Sequence, residues 1–432
     1  MHQPGLQEKT NIMKNKRLIS STLLAALAAT LPLHAATVSW DGQTNETWGT
    51  AANWNPDGVP GADDDVIINI GTGLNASRRL NFNVGSASIQ SLTVGLDGLV
   101  FRATSGTDRS LTIGASDTGS VSFITMNGNA HNTEHSFTSS GTANRLIVQF
   151  GHQITLTGNG TGEYRFARSV LTNTSSSTGT DTIIFAGSGN WGFINDGVQA
   201  SALEKTSANA TLDVELKSGA NAFTGTLRYA TTNAMNVDNV RVNSGTLRLE
   251  NATLTTTGNS TVTGLTVGAD GTFGGTGTVN GSATIAGKLT VGLDATNGTL
   301  TFNNGLTLQA GSETRLDIGS LANFDRVALD GGSLVRGGTL FLTLSGAYAD
   351  GDSWTLFTGL DGATGSFTSI VLNGQALNQS GDIWSGTYND LALQFNQATG
   401  ILALSSAIPE PSTMALLFGA CTLALVIVTR RR

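Results

Sequence analysis

Ser91-Leu92-Thr93-Val94-Gly95 (SLTVG) is a stretch that this chain repeats. The copies are Ser110-Leu111-Thr112-Ile113-Gly114, Gly264-Leu265-Thr266-Val267-Gly268, Lys288-Leu289-Thr290-Val291-Gly292 and, more loosely, Gly305-Leu306-Thr307-Leu308. In a strand, the alternating Leu and Val side chains face inward and Thr faces outward, and the closing Gly permits a corner with positive φ. One coil of such strands cannot bury its own apolar face, so coils must stack. The starts at 91 and 110 are 19 residues apart and those at 264 and 288 are 24 apart, which predicts one solenoid coil per copy.

The rest of the body shows a similar alternation of apolar and polar residues outside these copies. Short runs alternate apolar and polar residues, and turns containing Gly, Asn or Asp separate them. This pattern is typical of many short β-strands, and no stretch of the body shows a sustained helical period. We therefore expect an all-β fold.

Two further stretches resemble the autotransporter-associated β-strand repeat. Asn221-Ala222-Phe223-Thr224-Gly225, followed by Val240-Arg241-Val242-Asn243-Ser244-Gly245-Thr246-Leu247-Arg248-Leu249, is similar to the turn and strand of that family. Phe273-Gly274-Gly275-Thr276-Gly277-Thr278-Val279 is similar to a coil common in the same proteins. The resemblance implies a right-handed parallel β-helix, which we assign to residues 36–298.

From about Thr299 the repeat gives way to longer strands. Examples are Thr339-Leu340-Phe341-Leu342-Thr343-Leu344, Ser353-Trp354-Thr355-Leu356-Phe357 and Leu391-Ala392-Leu393-Gln394-Phe395. Periodicity leaves two alternatives open for residues 299–406. The region is either a wider, aromatic-filled end of the solenoid or a small antiparallel sandwich.

The tail, residues 407–432, combines three signals. Pro409 and Pro411 fix φ and remove two backbone donors, so Pro409-Glu410-Pro411 is extended and a helix can begin only after it. Residues 413–429 carry no charge and predict a short membrane helix. Arg430, Arg431 and Arg432 follow, and such a cluster stays on the cytoplasmic side. Everything before Pro409 is thereby predicted to lie outside the cytoplasm.

This tripartite tail resembles the PEP-CTERM sorting signal of Gram-negative bacteria. In that family a membrane-embedded exosortase recognises the tail and is thought to remove it during export. The resemblance implies a transient inner-membrane anchor, then a place at the cell surface or outside the cell. An ordinary single-span anchor is the alternative.

The N-terminus also indicates export. Lys14, Lys16 and Arg17 precede an apolar stretch, 18–33, and Ala35 ends a plausible cleavage site, so residues 1–35 are predicted to be a secretory signal. Met13 is an alternative start. The Sec translocon is the partner expected for this step.

Charge and cysteine content narrow the class of protein. Without the seven basic and two acidic residues of the two ends, the body has 16 basic and 29 acidic residues, a net charge of −13. Nucleic-acid binding rests on Lys and Arg that neutralise phosphates, so we expect no nucleic-acid partner. Cys421, in the predicted membrane helix, is the single cysteine, so the body holds neither a disulfide nor a thiolate metal site. We expect no cofactor.

The segment from Trp40 to Ile68 is the densest cluster of distinctive residues. Trp40, Trp48 and Trp54 could stack on sugar rings, but we favour a cap that covers the first coil and prevents edge-to-edge pairing. Asp63, Asp64 and Asp65 could bind calcium through hard oxygens. A solvated turn before a strand is the interpretation that we favour for these aspartates.

The sequence nominates no catalytic residues. His131 and His135 stand four apart, but zinc proteases need His-Glu-x-x-His on a helix, and the surrounding run is polar and rich in turns. There is no Gly-x-Ser-x-Gly elbow. We therefore expect a non-enzymatic surface or extracellular-matrix protein with a structural or adhesive role. A carbohydrate-active β-helix enzyme or a polysaccharide-binding protein is the alternative, with extracellular polysaccharide as the partner.

Overall fold

The computed structural model describes residues 36–406, except 105, 115–120, 130–136, 141–143, 196, 259–263 and 295. Over these residues the protein is all-β, which confirms the predicted class: the regular structure is 39 strands and one 3-10 helix, Ala51–Asn53. In the described part of the chain, no helix is both long and apolar enough to span a bilayer. The predicted signal, 1–35, and the tail with its helix at 413–429 lie outside the described residues.

Twenty short strands come first. In chain order they are β1 (Thr37–Trp40), β2 (Trp54–Asn55), β3 (Asp65–Ile68), β4 (Arg79–Phe82), β5 (Ser86–Ile89), β6 (Ser91–Val94), β7 (Val100–Ala103), β8 (Arg109–Ile113), β9 (Val121–Met126), β10 (Phe137–Ser139), β11 (Leu146–Phe150), β12 (Gln153–Gly158), β13 (Glu163–Ala167), β14 (Ser169–Asn173), β15 (Gly179–Gly187), β16 (Asn190–Ile194), β17 (Ala202–Glu204), β18 (Ala210–Leu216), β19 (Thr226–Ala230) and β20 (Met235–Val237).

Two long strands and seventeen shorter ones follow. They are β21 (Asn239–Thr256), β22 (Leu265–Asn280), β23 (Ala283–Ile285), β24 (Lys288–Val291), β25 (Thr299–Phe302), β26 (Leu306–Leu308), β27 (Glu313–Ile318), β28 (Arg326–Leu329), β29 (Leu334–Arg336), β30 (Thr339–Leu344), β31 (Ser353–Thr355), β32 (Phe357–Thr358), β33 (Thr364–Gly365), β34 (Ser369–Leu372), β35 (Gln375–Ala376), β36 (Asn378–Ser380), β37 (Ile383–Tyr388), β38 (Leu391–Asn396) and β39 (Ile401–Ser406).

Most strands pair in parallel, and over much of the chain each pairs with the strand three places further along. The pairings form three ladders. The first ladder contains β1, β3, β6, β9, β12, β15, β18, β21, β22, β23, β26, β29 and β33. The second contains β4, β7, β10, β13, β16, β19, β21, β22, β24, β27, β30 and β34. The third contains β5, β8, β11, β14, β17, β20, β21, β22, β25, β28 and β32. The long strands β21 and β22 take part in all three.

The repeated stretches adopt the predicted orientation. Leu92 and Val94 are fully buried and Thr93 between them is half-buried, and the other copies show the same alternation. The prediction of one coil per copy is wrong. The copies fall in different ladders, β6 in the first, β8 in the third and β24 in the second. The alternation encodes a strand with one buried face, but it does not encode the ladder to which that strand belongs.

The distance along the chain between paired strands also varies. Ser91 pairs with Phe123, 32 residues on, whereas Leu265 pairs with Ala283, only 18 residues on. Loops of different lengths between the strands account for this difference. A fixed spacing in the sequence therefore could not give the register.

Aromatic side chains form a column inside the second ladder. Phe101, Phe137, Phe166, Phe193 and Tyr229 are paired in register on successive strands, and all are buried. Their ring centroids lie 5.4, 4.8, 4.7 and 5.6 Å apart, and the first four rings are nearly parallel to one another. In-register parallel strands place paired side chains one above another, so the phenylalanine rings stack, an arrangement that favours aromatic pairs.

Strand pairing shows no break at the predicted boundary between 298 and 299. β25 pairs with β22 on one side and with β28 on the other, and the ladders continue as far as β34. Beyond this, β31, β39, β38, β37 and β36 form a separate antiparallel sheet in that order. Phe395 of this sheet contacts Phe357 of the third ladder, with 6.1 Å between ring centroids. Residues 299–406 are thus neither of the two predicted alternatives alone, because they continue the ladders and then add one antiparallel sheet.

Candidate functional site

A groove runs along the outward face of the second ladder. Its floor is built from six successive strands, β19, β21, β22, β24, β27 and β30, which contribute Thr226, Thr246, Thr272, Thr290, Asp317 and Thr343. Six strands about 4.8 Å apart make a floor about 24 Å long. The cavity volume is about 610 Å³. We call this feature the ladder groove.

The ladder groove exists because the outward side chains become small. Arg228 pairs in register with Arg248, and the next two positions of the same column are Gly274 and Thr290. Gly274 cannot be replaced without rearrangement, since a Cβ atom there would collide with Thr290. The column therefore carries small residues at these two positions, with Gly274 buried against Thr290, before Arg315 follows on β27.

An ion-pair cluster borders the ladder groove. Arg248 Nη2 lies 2.6 Å from Glu250 Oε1, and Arg248 Nη1 lies 3.1 Å from Asp294 Oδ2. The guanidinium of Arg248 is thus shared between two carboxylates. Asp317 on the floor is exposed, and the residues that line the groove include Asp294 and Asp317 against one cation, Arg248, so the lining carries more negative than positive charge. Two exposed cations, Lys288 and Arg315, lie in register with Thr272 and Thr290 but do not line the groove.

Asp325 holds the loops beside the ladder groove together. Its side chain is buried, and its two oxygens accept hydrogen bonds from the backbone N–H groups of Gly298 and Asp317, each at 2.8 Å. Burial raises the pKa of Asp325 to about 6, against the lowering effect of these N–H groups. Gly292 is close by, and a Cβ atom there would approach Asp325 Oδ1 to 2.6 Å. Asp325 lines the groove, and both of its carboxylate oxygens are engaged in hydrogen bonds within the wall.

The ion pairs continue along the second ladder away from the groove. Arg228 Nη1 lies 3.1 Å from Glu250 Oε2, and Arg228 Nε lies 2.6 Å from Glu163 Oε1. Arg165 Nε lies 2.6 Å from Glu163 Oε2. Burial alone would raise the pKa of Glu163, but the guanidinium groups of Arg228 and Arg165 hold it below its ordinary value.

The tryptophans singled out in the sequence lie in the core. Trp40, Trp48 and Trp54 are at most 2% exposed, and Trp54 makes edge contacts with both of the others, at centroid distances of 5.1 and 4.9 Å. Trp48 also packs on Phe82 of the second ladder. Stacking of a sugar on these three indoles does not fit this geometry, because each ring is enclosed by protein. They lie beside the first strands, and the cap that we favoured stays a prediction.

Asn53 organises the backbone around these tryptophans. Its Oδ1 accepts hydrogen bonds from the N–H groups of Thr44 and Asn45, and its Nδ2 donates to the carbonyl of Thr47 at 2.9 Å. The indole N–H of Trp54 donates to the carbonyl of Trp48 at 2.8 Å. Sequence reasoning missed Asn53, although its place between two tryptophans is visible in the sequence.

The three consecutive aspartates lie at the start of β3. Asp64 Oδ2 accepts a hydrogen bond from the N–H of Gly61 at 2.7 Å, and Asp65 Oδ1 accepts one from the hydroxyl of Ser91. Both are therefore used in local structure. Over the described part of the chain, no three His, Cys, Asp or Glu side chains are grouped so that they could hold a metal ion.

Several predicted residues lie outside the described residues. They are His131 and His135, and the sorting residues Pro409, Glu410, Pro411, Arg430, Arg431 and Arg432. Sequence reasoning missed the ladder groove, because its floor comes from strands spread over more than a hundred residues. Only Thr290 of the floor belongs to a repeated stretch, so the repeats alone could not have pointed to it.

The chain was also compared with known proteins. No family model matches it, and a search of curated proteins gave no match.

Proposed function

We propose that the protein is an exported, non-enzymatic component of the surface or extracellular matrix of a Gram-negative bacterium, with a structural or adhesive role. We propose further that its three ladders are the faces of a right-handed parallel β-helix. The observation that carries the proposal is the continuity of these ladders from β1 to β34. The first ladder alone has thirteen strands, which at about 4.8 Å each span about 58 Å.

Both ends of the ladders support a discrete rod. The Trp40, Trp48 and Trp54 cluster lies beside the first strands, and the antiparallel sheet contacts the third ladder near its last strand. Covered ends protect an edge from pairing with another chain. The body is therefore suited to act as a stiff spacer that presents polar side chains to solvent.

Export is proposed from the sequence of the two ends. The predicted secretory signal leads the chain to the Sec translocon, and the Pro409-Glu410-Pro411 tail leads it to an exosortase-type membrane protease. The tail would be a transient inner-membrane anchor before processing. Replacement of Pro409, Glu410 and Pro411 by alanine tests this route: we expect the variant to stay in the inner-membrane fraction, and release equal to that of the unchanged protein would contradict it.

We propose the absence of enzymatic activity from the burial and the hydrogen bonds of Asp325. A carboxyl with a raised pKa near a second carboxylate, here Asp317, is one feature of glycosidase acid and base pairs. However, Asp325 is only 1% exposed and both of its oxygens accept backbone hydrogen bonds, so a substrate has no access to it. This supports a binding role over a carbohydrate-active enzyme.

A turnover assay separates the two candidate functions. The exported protein is incubated with a panel of polysaccharides, and new reducing ends and unsaturated products are measured. We expect no product above the buffer control. Turnover that the Asp325→Asn substitution abolishes would establish the enzyme and overturn the structural proposal.

A further inference from the structure

We infer that the ladder groove binds an extended, uncharged polysaccharide chain that lies along the stacking direction of the strands. This inference rests on the proposed adhesive function and names its ligand class and its site. It assigns binding to Thr246, Thr272, Thr290, Asp317 and Thr343, and not to the tryptophans that the sequence brought forward.

The shape of the groove favours a chain over a compact ligand. The floor crosses six strands in about 24 Å, and it shifts sideways as it goes, from Thr272 to the Gly274 and Thr290 column and then to Asp317 and Thr343. A ligand that filled it would be long and narrow. A linear polymer lying along the rod has this shape, and it would continue beyond the groove at both ends.

The hydrogen-bonding groups of the groove match a polyhydroxylated ligand. Each threonine hydroxyl both donates and accepts, and an ionised carboxylate such as that of Asp317 only accepts. The floor therefore offers mixed donors and acceptors at intervals of one strand, with a strong acceptor, Asp317, on the strand before the last. Sugar hydroxyls, which also donate and accept, can satisfy such a row.

The charge of the groove selects against acidic chains. Arg248 is already shared between Glu250 and Asp294, so it has little charge left to attract an anion. Asp294 and Asp317 are exposed and negative. Because like charges in one site repel, a chain of uronic acids would bind less well than a neutral chain of the same length.

The direct test is titration calorimetry with neutral and acidic hexasaccharides. The whole exported protein, isolated from its host, is titrated with cellohexaose, laminarihexaose and mannohexaose, and with hexagalacturonate as the acidic probe. We expect at least one neutral hexasaccharide to bind and hexagalacturonate to bind at least about tenfold more weakly, a difference of about 1.4 kcal/mol.

Two variants place the binding in the ladder groove. Thr272→Trp fills the floor and should weaken neutral binding by about tenfold or more. Thr301→Trp is the matched control, because Thr301 occupies an outward, half-buried position in the third ladder. The double variant Asp294→Asn, Asp317→Asn tests charge selection. It should reduce the difference in affinity between the neutral and the acidic hexasaccharides. This test does not depend on the Thr272→Trp variant, whose bulky side chain could disturb folding.

Three outcomes would overturn the inference. They are no binding of any neutral hexasaccharide, equal binding of hexagalacturonate, or equal effects of Thr272→Trp and Thr301→Trp. None of these would bear on export, which the fractionation of the alanine variant tests independently. If export failed and hexasaccharides still bound, the binding site in the groove would be supported and the proposed location outside the cytoplasm would be refuted.

Discussion

Glu163 and Arg228 form an ion pair across an intervening strand. Glu163 lies on β13 and Arg228 on β19, yet Arg228 Nε is 2.6 Å from Glu163 Oε1. On β16, between the two strands, Gly192 is the outward residue in register with Arg228, while Glu163 itself pairs with Asn190. A Cβ atom on Gly192 would come within 2.7 Å of the carboxyl carbon of Glu163. The two charged side chains meet because the residue between them has no side chain.

The first prediction concerns Gly192→Ala. The added methyl group should push Glu163 away from Arg228 and destabilise the protein by about 1–2 kcal/mol, because a partly buried charge pair is disrupted. Chemical denaturation measures this as a lower midpoint. Gly311→Ala is the control, since a Cβ atom at Gly311 would meet nothing within 4 Å, and an equal loss in both variants would refute the role of Gly192.

The second prediction concerns the pH dependence of the same pair. The folded-state pKa of Glu163 lies below its ordinary value of 4.5. Its contribution to stability is therefore fully present above about pH 4.5 and is lost as the pH falls through the lower, folded-state value. Glu163→Gln should cost about 1–2 kcal/mol at pH 7. Below the folded-state pKa the variant and the unchanged protein should converge, and a constant difference down to pH 3 would contradict this.

The third prediction concerns Asp325, whose contribution to stability depends on pH in the opposite direction to that of Glu163. Asp325 has a folded-state pKa of about 6, above its ordinary value of 3.8. Between these values the folded protein holds a proton that the unfolded chain has released, so the free energy of unfolding gained from this group rises as the pH falls from 7 to 4. The gain is up to about 3 kcal/mol. Unfolding free energies measured at intervals between pH 7 and pH 4 test it.

Asp325→Asn should remove this rise, because asparagine does not titrate. Asp330→Asn is the control, since Asp330 is exposed on the surface. The prediction fails if Asp325→Asn keeps the same pH slope as the unchanged protein.

The fourth prediction concerns the aromatic column. Phe166 lies 4.8 Å from Phe137 and 4.7 Å from Phe193, centroid to centroid, and it is fully buried. Phe166→Ala should destabilise the protein by about 3–5 kcal/mol, because it leaves a cavity in the core. Phe166→Leu should cost less, since it refills most of the volume. Equal costs for the two variants would show that the column does not depend on packing at this position.

The sequence predicted the buried faces of the strands well, for a physical reason. Alternation of Leu and Val with Thr directly reflects a strand with one face in the core, and Leu92, Val94 and Leu289 are all buried as expected. Pairing was not predictable in the same way. Ser91 meets Phe123 because of the loops between them, and loop lengths leave no periodic trace in the sequence.

The ladder groove could not be predicted from the sequence for a related reason. Thr246, Thr272 and Thr290 look like any other outward threonine, and only the register places them on one floor. The tryptophans stood out in the sequence because tryptophan is rare, yet Trp48 and Trp54 are fully buried. The rare tryptophans lie beside the first strands, whereas common threonines form the floor of the groove.

The central claim, export with removal of the tail, is tested most directly by mass spectrometry of the mature C-terminus. The protein is recovered from the surface and medium of its native host, and its last residue is read from the intact mass and the C-terminal peptide. We predict that Arg430, Arg431 and Arg432 are absent and that the chain ends near Pro409-Glu410-Pro411. Recovery of the surface protein with Arg432 intact would contradict the account.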